Sequence, residues 1–241
     1  MNQSFYIASG KGGTGKSVVA VNLSASLALM GYDTLLIDMN PGMRNLDIML
    51  EVEYQAIYHV FDVMNGICSL EQGVVCLDEP EKLCLLPGGL LEDREKLDEV
   101  KWRAFMTECK AHYDYIIVDG SSGADDFVLT TAKGTDETIL VVTPERTSLR
   151  NGDMLEDRLI RARVLRRRFL INRMRPELQK EGLEVPPKEI DRQFKCEILG
   201  MILEDDNFRL FSDAGLPIAV RQDSYISRNF RRIAERLIRS E

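Results

Sequence analysis

An α/β fold with a largely parallel, doubly wound sheet flanked by helices is predicted for this 241-residue chain by three observations. Short apolar runs bounded by turn signals recur along the chain, helical stretches lie between them, and the first run leads into a glycine-rich loop that opens a helix. The apolar runs are Phe5–Ala8, Thr34–Ile37, Leu83–Leu86, Tyr115–Val118, Thr138–Val142, Phe169–Ile171 and Ile198–Ile202. Most are apolar on both faces, as strands are when helices cover the sheet from both sides.

Helices are expected over Lys16–Leu29, Asp93–Cys109, Asp125–Lys133, Asn151–Arg168, Lys188–Phe194 and Ile226–Arg239. Strand and helix thus alternate over the whole length, the order that builds a parallel sheet. Ser69 with Gln72 three residues on has capping-box spacing for a short helix after Gly66. In the last helix, Ile226, Phe230, Ile233 and Leu237 form an apolar stripe. With no repeat and no low-complexity linker, residues 1–241 read as one domain.

At 44% hydrophobic and 29% charged residues, with 17 Gly and 8 Pro, the composition is that of a globular protein and excludes collagen-like, mucin-like and disordered classes. No run approaches the ~18 apolar residues that span a bilayer. The first apolar run is too short for a signal peptide, so the chain reads as cytoplasmic. Five cysteines, Cys68, Cys76, Cys84, Cys109 and Cys196, are an odd count without a C-x-x-C pair. They are expected to be reduced, mostly buried thiols, with no disulfide framework and no zinc or iron–sulfur site. The net charge of −8 is unevenly spread: Arg158 to Arg175 holds eight arginines and no acid. That asymmetry admits an acidic partner, nucleic acid or membrane.

Gly10-Lys11-Gly12-Gly13-Thr14-Gly15-Lys16-Ser17 satisfies G-x-x-x-x-G-K-[ST] between a predicted strand and a predicted helix. The glycines let backbone N–H groups turn inward around phosphates, and the helix N-terminus adds its positive end. Lys16 is placed to reach the β- and γ-phosphates and Ser17 to ligand Mg²⁺. Base choice has its own argument. A guanine-specific loop protein offers N/T-K-x-D at a strand end, where the Asp accepts from the base; here Asn172-Arg173-Met174-Arg175 puts a cation in that place, which favours ATP.

The second lysine in the loop, Lys11, makes the sequence resemble the deviant Walker-A ATPases of the MinD/ParA family, whose loop reads K-G-G-x-G-K-[ST]. The resemblance extends to Gly42-Met43-Arg44-Asn45-Leu46-Asp47 as a first switch, to the apolar strand ending in Asp119, to Gly120-Ser121-Ser122-Gly123 as a second switch, and to Asn172-Arg173. Leu199-Gly200 through Pro217-Ile218 and Ile233 to Leu237 are also similar, and the MinD branch is the most similar. It implies a P-loop NTPase fold with nucleotide at the C-terminal ends of the strands. Gly10 through Val18 would cradle the phosphates of ATP, and Ser17, Asp38 and Asp119 would hold Mg²⁺. Gly123 would sense the γ-phosphate, Asn172 and Arg173 would lie at the adenine, and Lys11, beside Lys16, would reach the phosphates of a partner subunit. ATP binding and homodimerisation would then be one event, in a positional switch most like those of septum placement, with a further protein partner.

Two departures bear on activity. Where the family carries D-x-D, this chain has Asp38-Met39-Asn40. Asn40 can orient a water but cannot accept its proton, so hydrolysis is expected to be slow. The family's D-x-P-A-G appears as Asp119 to Gly123 without the proline. A non-hydrolysing ATP-dependent scaffold dimer, a ParA-type partition protein and a flagellar-positioning ATPase remain alternatives. A separate C-terminal targeting helix after Leu237 is not expected, and the terminal stripe reads as packing on the sheet, with peripheral contact to the inner face of the cell membrane left open. For Arg158–Arg168, a solvated, acid-paired helix face is favoured over DNA contact, since aromatic interleaving is absent.

Overall fold

The computed structural model describes residues 2–205, 208, 215–221 and 223–239. Among these, eight strands form one sheet: β1 (Gln3–Ser9), β2 (Thr34–Met39), β3 (Val75–Cys76), β4 (Leu83–Leu86), β5 (Tyr115–Ser122), β6 (Glu137–Val142), β7 (Arg167–Met174) and β8 (Glu197–Leu203). Their spatial order is β3-β4-β2-β5-β1-β6-β7-β8, and only β3 runs antiparallel to its neighbour. The expected α/β architecture is present, and its central strand is β1, flanked by β5 and β6.

The period-two alternation of the strands feeds two cores. Phe5, Ile7, Leu36 and Ile117 face helix α1 (Lys16–Leu29) and the last helix, α10 (Tyr225–Ile238). Tyr6, Ala8, Ile37 and Val118 face the other side, covered by α3 (Val60–Met64), α5 (Glu99–His112), α6 (Asp126–Lys133), α7 (Arg146–Arg161) and α9 (Pro187–Gln193). Short helices α2 (Asn45–Met49), α4 (Leu70–Gly73) and α8 (Pro176–Lys180) complete the set, and the Ser69–Gln72 capping box opens α4.

Helix α1 matches its expected bounds, whereas two others are shifted for local reasons. Asp98 accepts from the Lys101 N–H at 2.8 Å, so α5 starts behind that cap, and Leu91–Lys96 forms a separate 3-10 turn. Helix α7 begins at Arg146 instead of Asn151 and stops at Arg161, followed by Arg163 in the left-handed region (φ 63°). The end of the expected arginine-rich helix is therefore strand. Arg168, on β7, forks onto the buried carboxylate of Glu137, with Nη2 2.8 Å from Oε2, and Arg167 lies 3.8 Å from buried Glu156.

The cysteine expectation is corrected as well. Cys76 and Cys84 stand directly opposite each other in the β3–β4 pair, 3.9 Å apart at Cα, and form a disulfide. Antiparallel register across a short reversal brings them together, and spacing alone did not show it. Cys68, Cys109 and Cys196 are free thiols.

The terminal stripe lies inside the protein. Ile226, Phe230, Ile233 and Leu237 are buried in the α1-side core, and Gly200 on β8 leaves the room that Ile233 fills, since a Cβ there would fall 2.8 Å from its side chain. That stripe is therefore not available to lie on a membrane. The resembling stretch Leu199 to Ile218 includes residues 206, 207 and 209–214, which lie outside the described residues. Replacement of fully buried Phe230 by Ala is expected to cost about 3–5 kcal/mol in chemical denaturation. Replacement of exposed Arg232 on the same helix should stay within about 0.5 kcal/mol of the parent.

Candidate nucleotide site

The loop after β1 is shaped by contacts that only glycine permits. A Cβ on Gly10 would fall 2.1 Å from the Asn151 carbonyl oxygen of α7, so the loop departs with its backbone against that helix. Gly13 and Gly15 both adopt positive φ (80° and 83°), and Gly15 is the N-cap of α1. Gly12 and Gly13 are exposed, with open space over Gly13. Lys16 is the first residue of α1 and Ser17 and Val18 follow in its first turn, where helix N–H groups lack internal partners. The Thr14 hydroxyl is buried without a hydrogen-bond partner in the protein.

Two acids meet the loop from neighbouring strands. In the β2–β5 pairing Asp38 stands opposite Asp119, both buried near the C-terminal ends. Lys16 Nζ donates to Asp119 Oδ1 at 2.8 Å, also out of water. Burial first, and then the charge of Asp119, pushes the Asp38 carboxyl up to about 7, against the Asn40 backbone N–H that donates to its Oδ1 at 2.8 Å. The Pro87-Gly88-Gly89 turn after β4 makes room for this carboxylate, because a Cβ on Gly88 would lie 2.9 Å from Asp38 Cγ. Asn40 sits at the mouth, one residue beyond β2, half-buried.

The segment Gly120 to Gly123, expected as a second switch, closes on the base of the loop. The Gly123 N–H donates to the Ser9 carbonyl at 2.9 Å, with Gly123 at φ 105°, and Ser121 Oγ donates to the Met39 carbonyl at 3.1 Å. Position 120 admits only glycine because Tyr6 fills the space of a side chain: a Cβ there would be 2.1 Å from the tyrosine ring. In the segment expected as a first switch, Arg44 and buried Asp47 form an ion pair at 2.6 Å at the start of α2.

Three expected residues stand apart from the acid pair. Asn172 packs under the loop, its Nδ2 donating to the Thr14 carbonyl at 2.8 Å, so it braces the glycine turn. Arg173 is exposed in the left-handed region (φ 58°), 3.8 Å from Glu204, and lines a cavity of about 410 Å³ with Glu145, Arg146, Leu178 and Val185. Lys11 Nζ bonds Glu145 Oε2 at 3.0 Å within its own chain, with Thr147 Oγ1 at 3.5 Å. Glu145, Thr147 and Gly88 are site residues that the sequence reading missed. For Gly88 a signal existed, in tandem glycines directly after an apolar strand.

The donor set fits a nucleotide phosphate with a divalent cation. An open glycine turn leads into a helix N-terminus beside a buried lysine, and two buried carboxylates share one cationic partner. The second of them, Asp38, holds its proton up to about neutral pH, since Lys16 and one backbone N–H offset only part of its burial and of the charge of Asp119.

Comparisons with known proteins agree with this geometry. The model of the CobQ/CobB/MinD/ParA nucleotide binding domain matches residues 5–218. The septum site-determining protein MinD of Bacillus subtilis is 31% identical over 99% of this chain and 90% of its own length. Among solved structures, the MinC:MinD cell division protein complex of Aquifex aeolicus superposes with a TM-score of 0.91 at 31% identity, covering 99% of this chain and 96% of that one. MinD of Pyrococcus horikoshii, complexed with Mg-ADP, gives 0.86 at 28% identity, covering 99% and 97%. The phosphate loop, the paired acids and a match spanning most of the sequence lead to one conclusion: the chain belongs to the CobQ/CobB/MinD/ParA nucleotide-binding family and is MinD-like within it.

Proposed function

We propose that this protein is a Mg²⁺-dependent ATPase that dimerises on binding ATP and acts as a spatial-regulation switch, most like the septum-placing MinD proteins. The observation that carries the reading is the buried Lys16–Asp119 contact beside Asp38, at the foot of an open glycine turn. In this reading Gly10 through Val18 hold the phosphates, with Lys16 at the β- and γ-oxygens, and Ser17, Asp38 and Asp119 hold the cation directly or through water. Bound there, Mg²⁺ supplies neutralisation of the phosphate charge that grows as the terminal bond breaks. Gly123 senses the γ-phosphate, Arg173 lies at the base cavity, and Asn172 reaches the adenine from beneath the loop. Asn40 orients the attacking water by its amide without taking the proton.

A MinC:MinD complex among the relatives supports a protein partner for this chain too. The arginines support the acid-paired reading over DNA contact, as Arg167 and Arg168 turn inward to Glu156 and Glu137. Among the described residues no helix is long and apolar enough to cross a membrane.

The reading is tested by steady-state phosphate release at saturating Mg-ATP and a fixed dimer fraction. Asn40→Asp is expected to raise kcat about tenfold, equal to ~1.4 kcal/mol of barrier, at unchanged ATP affinity. Lys16→Ala should abolish turnover. Dimerisation without hydrolysis in either the parent or Asn40→Asp, even in a single turnover, would favour the scaffold alternative.

Mass by light scattering should double with a slowly hydrolysed ATP analogue and not with ADP. Lys11→Ala is expected to remain monomeric while still binding nucleotide.

Asp38 carries opposite costs in the free and bound protein. At pH 8 it is charged, buried and adjacent to Asp119, so Asp38→Asn is expected to stabilise the nucleotide-free protein by on the order of a few kcal/mol in urea melts. The same substitution should weaken Mg²⁺-dependent nucleotide binding, measured by calorimetry.

A further inference from the structure

We propose that Glu145 is a positioning residue for Lys11. Its carboxylate holds the lysine back on its own protomer, and dimer formation exchanges that carboxylate for phosphate oxygen across the interface. The inference rests on the reading above in which Lys11 crosses to the partner subunit.

The contact is built by the fold. Gly10 seats the start of the loop against the Asn151 carbonyl of α7, at an approach no side chain would allow, so the next residue, Lys11, faces the first turn of that helix. Glu145 holds the N-cap position of α7, yet its side chain makes no capping bond. The Glu145 carboxylate is thereby left for Lys11, at 3.0 Å, with Thr147 Oγ1 3.5 Å from the same ammonium. Elsewhere in the first turn of α7 no acid competes for the lysine. An ammonium is a compact charge on a flexible stem, so it trades one anion for another without moving the backbone. Extension away from its own chain breaks both contacts.

The size of the restraint follows from exposure. Side chains of Lys11 and Glu145 are 41% and 60% exposed, and pairs so well solvated change an equilibrium by about two- to fivefold. A two-fold symmetric dimer releases two such pairs, so the dimerisation constant carries the square, about four- to twenty-five-fold.

The test compares the full-length parent, Glu145→Gln, Glu145→Asp and Lys11→Ala by sedimentation velocity across a protein dilution series with a slowly hydrolysed ATP analogue. Melting temperature and monomer nucleotide affinity are measured in parallel. With both variants compared at saturating analogue, Glu145→Gln is expected to dimerise four- to twenty-five-fold more tightly at unchanged melting temperature, while Glu145→Asp, which keeps the charge, stays near the parent. If Glu145→Gln dimerises no more tightly than the parent, or more weakly, the proposal is overturned even where Lys11→Ala is monomeric. If Lys11→Ala dimerises like the parent, the cross-interface reading itself has failed, whatever Glu145 does.

Discussion

The buried contact between Lys16 and Asp119 is the constraint on which the site depends. Taking two charges out of water costs several kcal/mol each, and only close, fixed geometry offsets it. Here that geometry comes from the sheet. β5 lies beside β1, and the loop leaving β1 folds back so that the first residue of α1 stands over the end of β5. Parallel pairing of β1, β5 and β2 sets their C-terminal ends side by side, which is why residues more than a hundred positions apart meet at one point.

The second acid makes the arrangement poised instead of merely stable. One ammonium, hydrogen-bonded to Asp119, is shared with Asp38 in the next strand, and with one backbone N–H it offsets only part of the burial of that carboxylate, so the Asp38 proton is held to about neutral pH. A buried site with more carboxylates than cations is completed by a positive ion. The glycines around it serve the same end. Gly88 gives Asp38 its space, Gly120 yields to Tyr6 beneath β5, and Gly15 lets Asn172 reach the loop from below. Each is a point where a Cβ would push a polar group out of line, and together they keep the acids within a side chain's reach of the glycine turn.

Legibility in the sequence followed the range of the interaction. The strands, α1 and the phosphate loop were readable because each is encoded by a local pattern: apolar runs, a glycine spacing, a helix that follows at once. Lys16, Asp38 and Asp119 were readable as strand-end or loop residues of known chemistry. What was hidden depends on register between distant segments. The Cys76–Cys84 bridge needs the β3–β4 pairing, and the Glu145–Lys11 contact needs α7 to pack against Gly10. The shifted start of α5 was masked for a different reason, since Asp93 and Asp98 are both plausible caps. Asp93 is spent on the Leu90 N–H and Lys96, which leaves Asp98 to start the helix.

The arginine-rich stretch shows how a linear charge count misleads when the chain crosses from helix to strand. Arg158 and Arg161 lie in the last turn of α7, where the helix dipole favours cations. A few residues later the strand periodicity takes over, and Arg167 and Arg168 are drawn to Glu156 and Glu137 inside the fold. Arg173, at the far end of the same strand, is near Glu204 at the cavity it shares with Glu145. One run of like charge is thus divided between a helix end, two interior pairings and the rim of the candidate site. The acids that balance it sit on other elements, so only the fold shows that much of this charge is internally matched.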